Sequence, residues 1–191
     1  LDTLTFFNKN NPVSSIGSQG FLSIELYRFE SDKNRKILRL HVWDESFSIN
    51  SQNVDFKKYV IHSHLFNAQS HILAGTILNE RFDISNSNDN SENSLYKINW
   101  KTITDENDAS KRQSELIVDT SDVRVTKLSS ETIEQGQDYS VSINEYHSSR
   151  SITPLSATLF LFNSNEGLSE LSKVVGPKND PETGFKYEKV N

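Results

Sequence analysis

Large apolar residues recur along this chain in short runs, many of them alternating with polar ones, and polar turns separate the runs. Phe21–Phe29 (FLSIELYRF) is apolar with partial alternation, the polar stretch Ser31–Lys36 follows, and Ile37–Trp43 (ILRLHVW) alternates large apolar residues with Arg39 and His41. Successive side chains on a strand point to opposite faces, so two such runs about a polar turn predict a β-hairpin. The same reading predicts strands at Tyr59–His64, Ser70–Ala74, Thr76–Ile84, Leu95–Trp100, Leu116–Asp119, Val123–Leu128, Tyr139–Ile143 and Ala157–Phe162. Helical candidates are few, Leu1–Lys9 and Gly167–Val174, and no internal repeat is visible. Many short, closely spaced strands predict an all-β sandwich or barrel.

Composition narrows the class. A length of 191 residues suits a single domain, 1–191, with enough chain for a sizeable core. The chain is polar, with 34% hydrophobic and 24% charged residues, and part of that polarity is local. Ser85–Ser94 (SNSNDNSENS) has no apolar residue and Asp105–Glu115 is nearly as polar, so both are expected to be exposed loops. The tail Gly176–Asn191 carries Pro177 and Pro181, which break helices and central strands, and is expected to wrap the surface.

A net charge of −6 repels phosphate backbones and no Lys/Arg stripe overrides it, so nucleic acid is not an expected partner. The longest apolar run, near Leu159–Phe162, is too short to cross a bilayer, and no charged-then-apolar leader opens the chain as given. Cysteine is absent, which excludes disulfides, thiolate ligands and a Cys nucleophile and is compatible with the cytoplasm, the expected location. Methionine is also absent, even at position 1, as in a processed fragment. Nothing resembles the G-x-S-x-G elbow of serine hydrolases, a P-loop or a dinucleotide fingerprint.

Chemistry then rests on the histidines: His41, His62, His64, His71 and His147. His62 and His64 form H-S-H, and residues two apart on a strand share a face, so both imidazoles are able to reach one ion. Chance placement on an exposed strand is the competing reading. His41 and His71 are expected to be structural or surface residues; His71 has the parity opposite to Ala68 and Ser70.

The segment from His62 to Gly75 (HSHLFNAQSHILAG) resembles the first motif of the cupin superfamily, G-x5-H-x-H-x3,4-E-x6-G. Gly75 suits a tight turn needing positive φ. The first motif Gly falls on Phe56, and the Glu falls on Ala68 with Gln69 beside it. The stretch Gly136–Ser151 resembles the second motif, G-x5-P-x-G-x2-H-x3-N, with the Gly136-to-His147 spacing kept. There Ser142 replaces Pro, Asn144 replaces the turn Gly, and Ser151 replaces Asn; Asn tolerates a left-handed turn. The Ala157–Phe162 strand resembles the one that follows this motif in cupins.

The resemblance, covering roughly Tyr59 to Phe162, implies a double-stranded β-helix, or jelly roll, with His62, His64 and His147 as metal ligands. With Ala68 in place of the carboxylate, the set resembles the three-histidine site of thiol dioxygenase-like, RmlC-like cupins. It implies a divalent ion, with iron the leading expectation and zinc, nickel or manganese as alternatives, and a small-molecule ligand. Pairing into a homodimer is implied by resemblance alone. Glu80, just after Gly75, is a candidate carboxylate from the next strand. Glu80, Gln69 and Glu145 are candidates to orient the ligands, and Arg39, Gln69 and Tyr139 to bind substrate; Arg39 is equally readable as a rim charge.

Three neutral imidazoles leave the charge of a divalent ion uncompensated and favour an anionic or thiol substrate at its open positions. A non-haem iron dioxygenase acting on a small anionic or thiol substrate is therefore one expectation. The other is a non-catalytic cupin-like binding or structural protein with a vestigial or structural metal site.

Overall fold

The computed structural model describes residues 14–16, 20–31, 34–45, 58–101, 113–164, 172–178 and 188–189. Leu1–Lys9, Phe56, residues 105–112 of the second polar loop and most of the tail lie outside the described residues.

The predicted hairpin forms. Strand β2 (Leu22–Glu30) pairs with β3 (Arg35–Asp44), and β3 buries Ile37, His41 and Trp43 at alternate positions, as its sequence alternation requires. The chain continues through β4 (Asn67–Ala74), β5 (Thr76–Asn86), β6 (Asn93–Lys101), β7 (Gln113–Thr120), β8 (Val123–Glu134), β9 (Asp138–Val141), β10 (Tyr146–Ser151), β11 (Leu155–Ser164) and β12 (Lys173–Pro177). Short strands β1 (Ser14–Ile16) and β13 (Glu188–Lys189) pair with one another at one edge.

Every strand pair is antiparallel, and the strands form two layers. One sheet has the order β13-β1-β2-β3-β11-β4-β9. The other consists of β10-β5-β8 and β12-β6-β7, joined through bridges from His62 to His147 and to Val174. Taken in chain order, β3, the His62 segment, β4, β5, β8, β9, β10 and β11 make eight pieces; one sheet orders them first, eighth, third, sixth, and the other second, seventh, fourth, fifth. That is the strand order of a jelly roll, two interleaved Greek keys closed face to face. The β6–β7 hairpin is an insertion between the fourth and fifth pieces, and β12 returns to pair with it.

The core lies between the layers, with Ile37, Trp43, Ala68, Ile72, Phe160 and Phe162 from one sheet packed against Ile77 and Ile133 from the other. Gly75 joins β4 to β5 at φ +73°, and a side chain there would run into the Leu155 carbonyl and the Ser156 and Thr153 hydroxyls. Only glycine meets both conditions without strain.

Several expectations need correction. Tyr59–His64 is not a regular strand but a segment held by the isolated pairings of His62. Residues Lys173 and Val174, within the expected helix Gly167–Val174, belong to β12. The first residues of the expected surface tail, Gly176 and Pro177, end that strand, where Gly176 packs against the Tyr59 ring. Pro177 is tolerated because it is the last residue of the strand. The polar loop at Ser85–Ser94 is shorter than expected, since β5 runs to Asn86 and β6 begins at Asn93. Among the described residues, no helix is long and apolar enough to cross a membrane.

Candidate metal centre

His62 is fixed by its backbone before its ring is considered. Its N–H donates to the His147 carbonyl and its carbonyl accepts from the His147 N–H, both at 3.0 Å. On its other side the Ser63 N–H donates to the Lys173 carbonyl at 2.9 Å and the Val175 N–H to the Ile61 carbonyl at 2.9 Å. The segment is thus zipped between β10 and β12. His64 is held by Asn144, whose N–H donates to the His64 carbonyl at 2.9 Å. Asn144 reaches that position through a left-handed turn, φ 61°, as expected for the residue replacing the turn glycine.

The three rings converge. His62 lies 4.7 Å from His64 and 4.5 Å from His147 between ring centroids, and their prospective ligand atoms all fall within 4.8 Å of one another. The Nε2 atoms of His64 and His147 are 3.0 Å apart. Two imidazole nitrogens at ~2.1 Å from a metal and about 90° apart would be separated by ~3.0 Å. The spacing therefore fits adjacent positions on one ion.

Ring orientation fits as well. The His62 Nδ1–H donates to the Val60 carbonyl at 3.0 Å, which leaves the Nε2 lone pair facing inward. The His147 Nδ1–H donates to the Asn79 Oδ1 at 3.1 Å, with the same result. Burial pushes the His62 imidazolium down to about 4. Burial, then the neighbouring histidines, holds His64 well below its ordinary value; His147 is lowered by burial, then His62 and His64, then the Arg81 charge. All three rings are thus neutral at pH 7, the form that binds metal. The donor set fits a divalent first-row ion without selecting one.

An aromatic wall backs the centre. His64 stacks on Phe66 at 4.8 Å and tilts against Phe160 at 5.9 Å, and Phe66 stacks on Phe162 at 4.1 Å. His41 continues the wall, sandwiched by Phe21 at 4.4 Å and Phe160 at 4.8 Å. Its burial, then the Arg39 charge, lowers its pKa to about 3. His71 instead pairs with Asp138 at 3.0 Å and is 43% exposed, outside the cluster.

The other sequence candidates divide. Arg39 shares the inward face of β3 with Ile37 and His41, lies 5.8 Å from the Phe162 ring centre, and pairs with Glu25 at 3.4 Å. Tyr139 is buried, its hydroxyl 3.3 Å from Ser149 and its pKa raised by burial. Gln69 is exposed, alternating with the buried Ala68 and Ser70, so it faces away from the histidines.

Glu80 does not supply a carboxylate. It pairs with Ser148 across the ladder, the position between His147 and Ser149, so it faces the opposite side of the sheet and binds Lys127. Glu145 pairs with Arg81 at 3.1 Å rather than with a histidine. The groups that orient the rings, the Val60 carbonyl and Asn79, were missed from sequence. Asn79 had a signal in strand parity: it is two residues from Ile77 on β5 and so inward-facing, a polar residue on an apolar face. Arg81 was missed too; it lies opposite His147 in the ladder.

No family model and no curated protein sequence matches the chain. Among solved structures the chain is similar to the crystal structure of hydroquinone 1,2-dioxygenase from Sphingomonas sp. TTNP3 with 4-hydroxybenzoate bound, at a TM-score of 0.36 and 10% identity. The likeness covers 73% of this chain and 64% of that one, so it spans less than two thirds of that protein. By its own strand order and converging histidines, the chain is an all-β jelly roll of cupin-like architecture carrying a three-histidine candidate metal centre.

Proposed function

We propose that this protein binds a divalent metal through His62, His64 and His147, and that it is a non-haem iron dioxygenase acting on a small anionic or thiol substrate. The observation that carries the reading is the convergence of three neutral histidine rings, two of them with Nε2 atoms 3.0 Å apart. Iron held by His62, His64 and His147 would keep its full positive charge and would supply open positions for an anionic substrate and dioxygen.

The chain's own residues do the rest. Val60 and Asn79 hold ring N–H groups so that the Nε2 lone pairs point to a common centre. Phe66 and Phe160 shield His64 and keep water from that side. Arg81 supplies a positive field on the His147 side, partly offset by Glu145. Arg39 is the substrate-binding candidate we retain, because it shares the inward face; Gln69 faces outward and Tyr139 belongs to the network behind His147.

The test is oxygen uptake by iron-loaded protein with panels of small thiols, carboxylates and phenols, beside His147→Ala. Substrate-dependent uptake in the wild type, abolished in the variant, is expected. Stoichiometric metal binding with no uptake across the panels would overturn the dioxygenase reading and favour a structural ion.

A further inference from the structure

Behind His147, on the side away from the prospective metal, a hydrogen-bonded chain runs from the buried Asn79 through the partly exposed Ser149 to the buried Tyr139. Asn79 is 1% exposed, and its Oδ1 lies 3.1 Å from the His147 Nδ1 and 3.0 Å from the Ser149 Oγ. The Ser149 Oγ is in turn 3.3 Å from the Tyr139 hydroxyl. Strand register builds this group, since Ser149 pairs with Asn79 across β10 and β5 and His147 is two residues from Ser149 on the same face.

With the Asn79 amide oriented as in the structure, its oxygen sets the polarity of the chain. A carbonyl oxygen only accepts, so Ser149 must give its proton to Asn79, leaving its lone pairs for the Tyr139 O–H. Burial keeps that phenol protonated, as the role requires. The second partner of the Asn79 oxygen must also be a donor, which places the His147 proton on Nδ1 and the lone pair on Nε2. With the amide turned the other way, an N–H would face Nδ1, and the His147 proton would sit on Nε2, between the ring and its metal.

Resting on the metal-site reading above, we propose that Asn79, supported by Ser149 and Tyr139, is a positioning residue that locks His147 in its metal-binding tautomer. Asn79 touches neither substrate nor ion. The Asn79 Nδ2 makes no hydrogen bond among the described residues, so Asn79→Asp keeps the acceptor and gives up no partner. Asn79→Leu removes the acceptor at similar volume. Because the Ser149 Oγ is 3.4 Å from Nδ1 and able to accept in its place, the decisive variant combines Asn79→Leu with Ser149→Ala.

The experiment has two readouts: the imidazole tautomers of metal-free protein by long-range proton–nitrogen NMR, and Co2+ affinity by competition with a chromophoric chelator. Wild type is expected to hold His147 as the Nδ1–H form, and Asn79→Asp, whose carboxylate accepts the same proton, to keep Nδ1 protonated and to bind Co2+ no more than about 10-fold more weakly. The double variant is expected to mix tautomers and to bind about 10–100-fold more weakly. A merely structural role would lower its melting temperature without moving either readout in the folded protein. A pure Nδ1–H form with wild-type affinity in the double variant overturns the proposal. If the double variant does not fold, Asn79→Leu is read by itself: a tautomer shift or weaker Co2+ binding supports the proposal, and the absence of both overturns Asn79 as the residue that locks the ring. A tautomer shift in a protein whose wild type binds no Co2+ would sink the metal site while leaving the role of Asn79 intact.

Discussion

His64 and His147 are 83 residues apart in the chain, yet their Nε2 atoms stand 3.0 Å from one another. The approach is enforced by backbone, not by the rings. Asn144 ties the loop before β10 to the His64 carbonyl, and the reciprocal His62–His147 pair sets the register between the two motif segments. Two neutral imidazole nitrogens at that separation need either a shared proton or a shared metal to offset their lone-pair repulsion. The three-ring geometry accommodates the metal.

Since Glu80 faces away and pairs with a surface lysine, Glu80→Gln is predicted to bind metal with wild-type stoichiometry and affinity. Its stability should change by at most about 1 kcal/mol, the worth of an exposed ion pair. Chelator competition and a denaturant midpoint check both. A loss of metal in this variant would restore Glu80 as a ligand.

Gly75→Ala is predicted to destabilise strongly, because the position combines φ +73° with close approach of the Leu155, Ser156 and Thr153 oxygens. The backbone cost alone is about 1–3 kcal/mol, and the clash adds to it. Asn144→Gly should be close to neutral, as glycine accepts the same left-handed turn. Denaturant unfolding of the two variants measures the contrast.

Acid should destabilise the fold through its buried histidines. His41 is neutral in the folded state, with its pKa lowered to about 3 by burial. The unfolded state therefore binds more protons as pH falls below about 6.5, and stability falls with it. The contribution of His41 is fully present above that value, is lost progressively on acidification, and levels off only below pH 3. In His41→Leu the slope of stability against pH between 6 and 4 should be shallower by up to ~1.4 kcal/mol per pH unit. An unchanged slope would show that His41 is not buried and neutral.

Much of this was legible in the sequence where local rules govern. The alternation of Ile37–Trp43 becomes β3, and the Ala157–Phe162 run becomes β11, whose buried Phe160 and Phe162 it already marks. The glycine at position 75 and the asparagine at 144 were readable as turn residues because the motif resemblance put them at turn positions and both accept the positive φ found there. Strand β10 was not, since YHSSRS lacks the apolar alternation; it forms because β5 and the His62 segment pair with it on either side. Strand β12 was hidden for a related reason: KVVGP is short and ends in proline, and only its pairing with β6 makes it a strand. The inward face of Asn79 and the outward face of Glu80 follow from their alternation with Ile77, but that Asn79 lies opposite Ser149 and beside His147 depends on register, which the sequence does not state.

The central claim is that His62, His64 and His147 form one metal site, and metal content tests it most directly. Purified protein and a His62→Ala/His64→Ala variant would be compared by plasma mass spectrometry, before and after adding back divalent ions. We predict near-stoichiometric metal in the wild type, with iron preferred, and loss in the variant while it remains folded. No metal in the wild type after add-back, or equal metal in both proteins, would contradict the account.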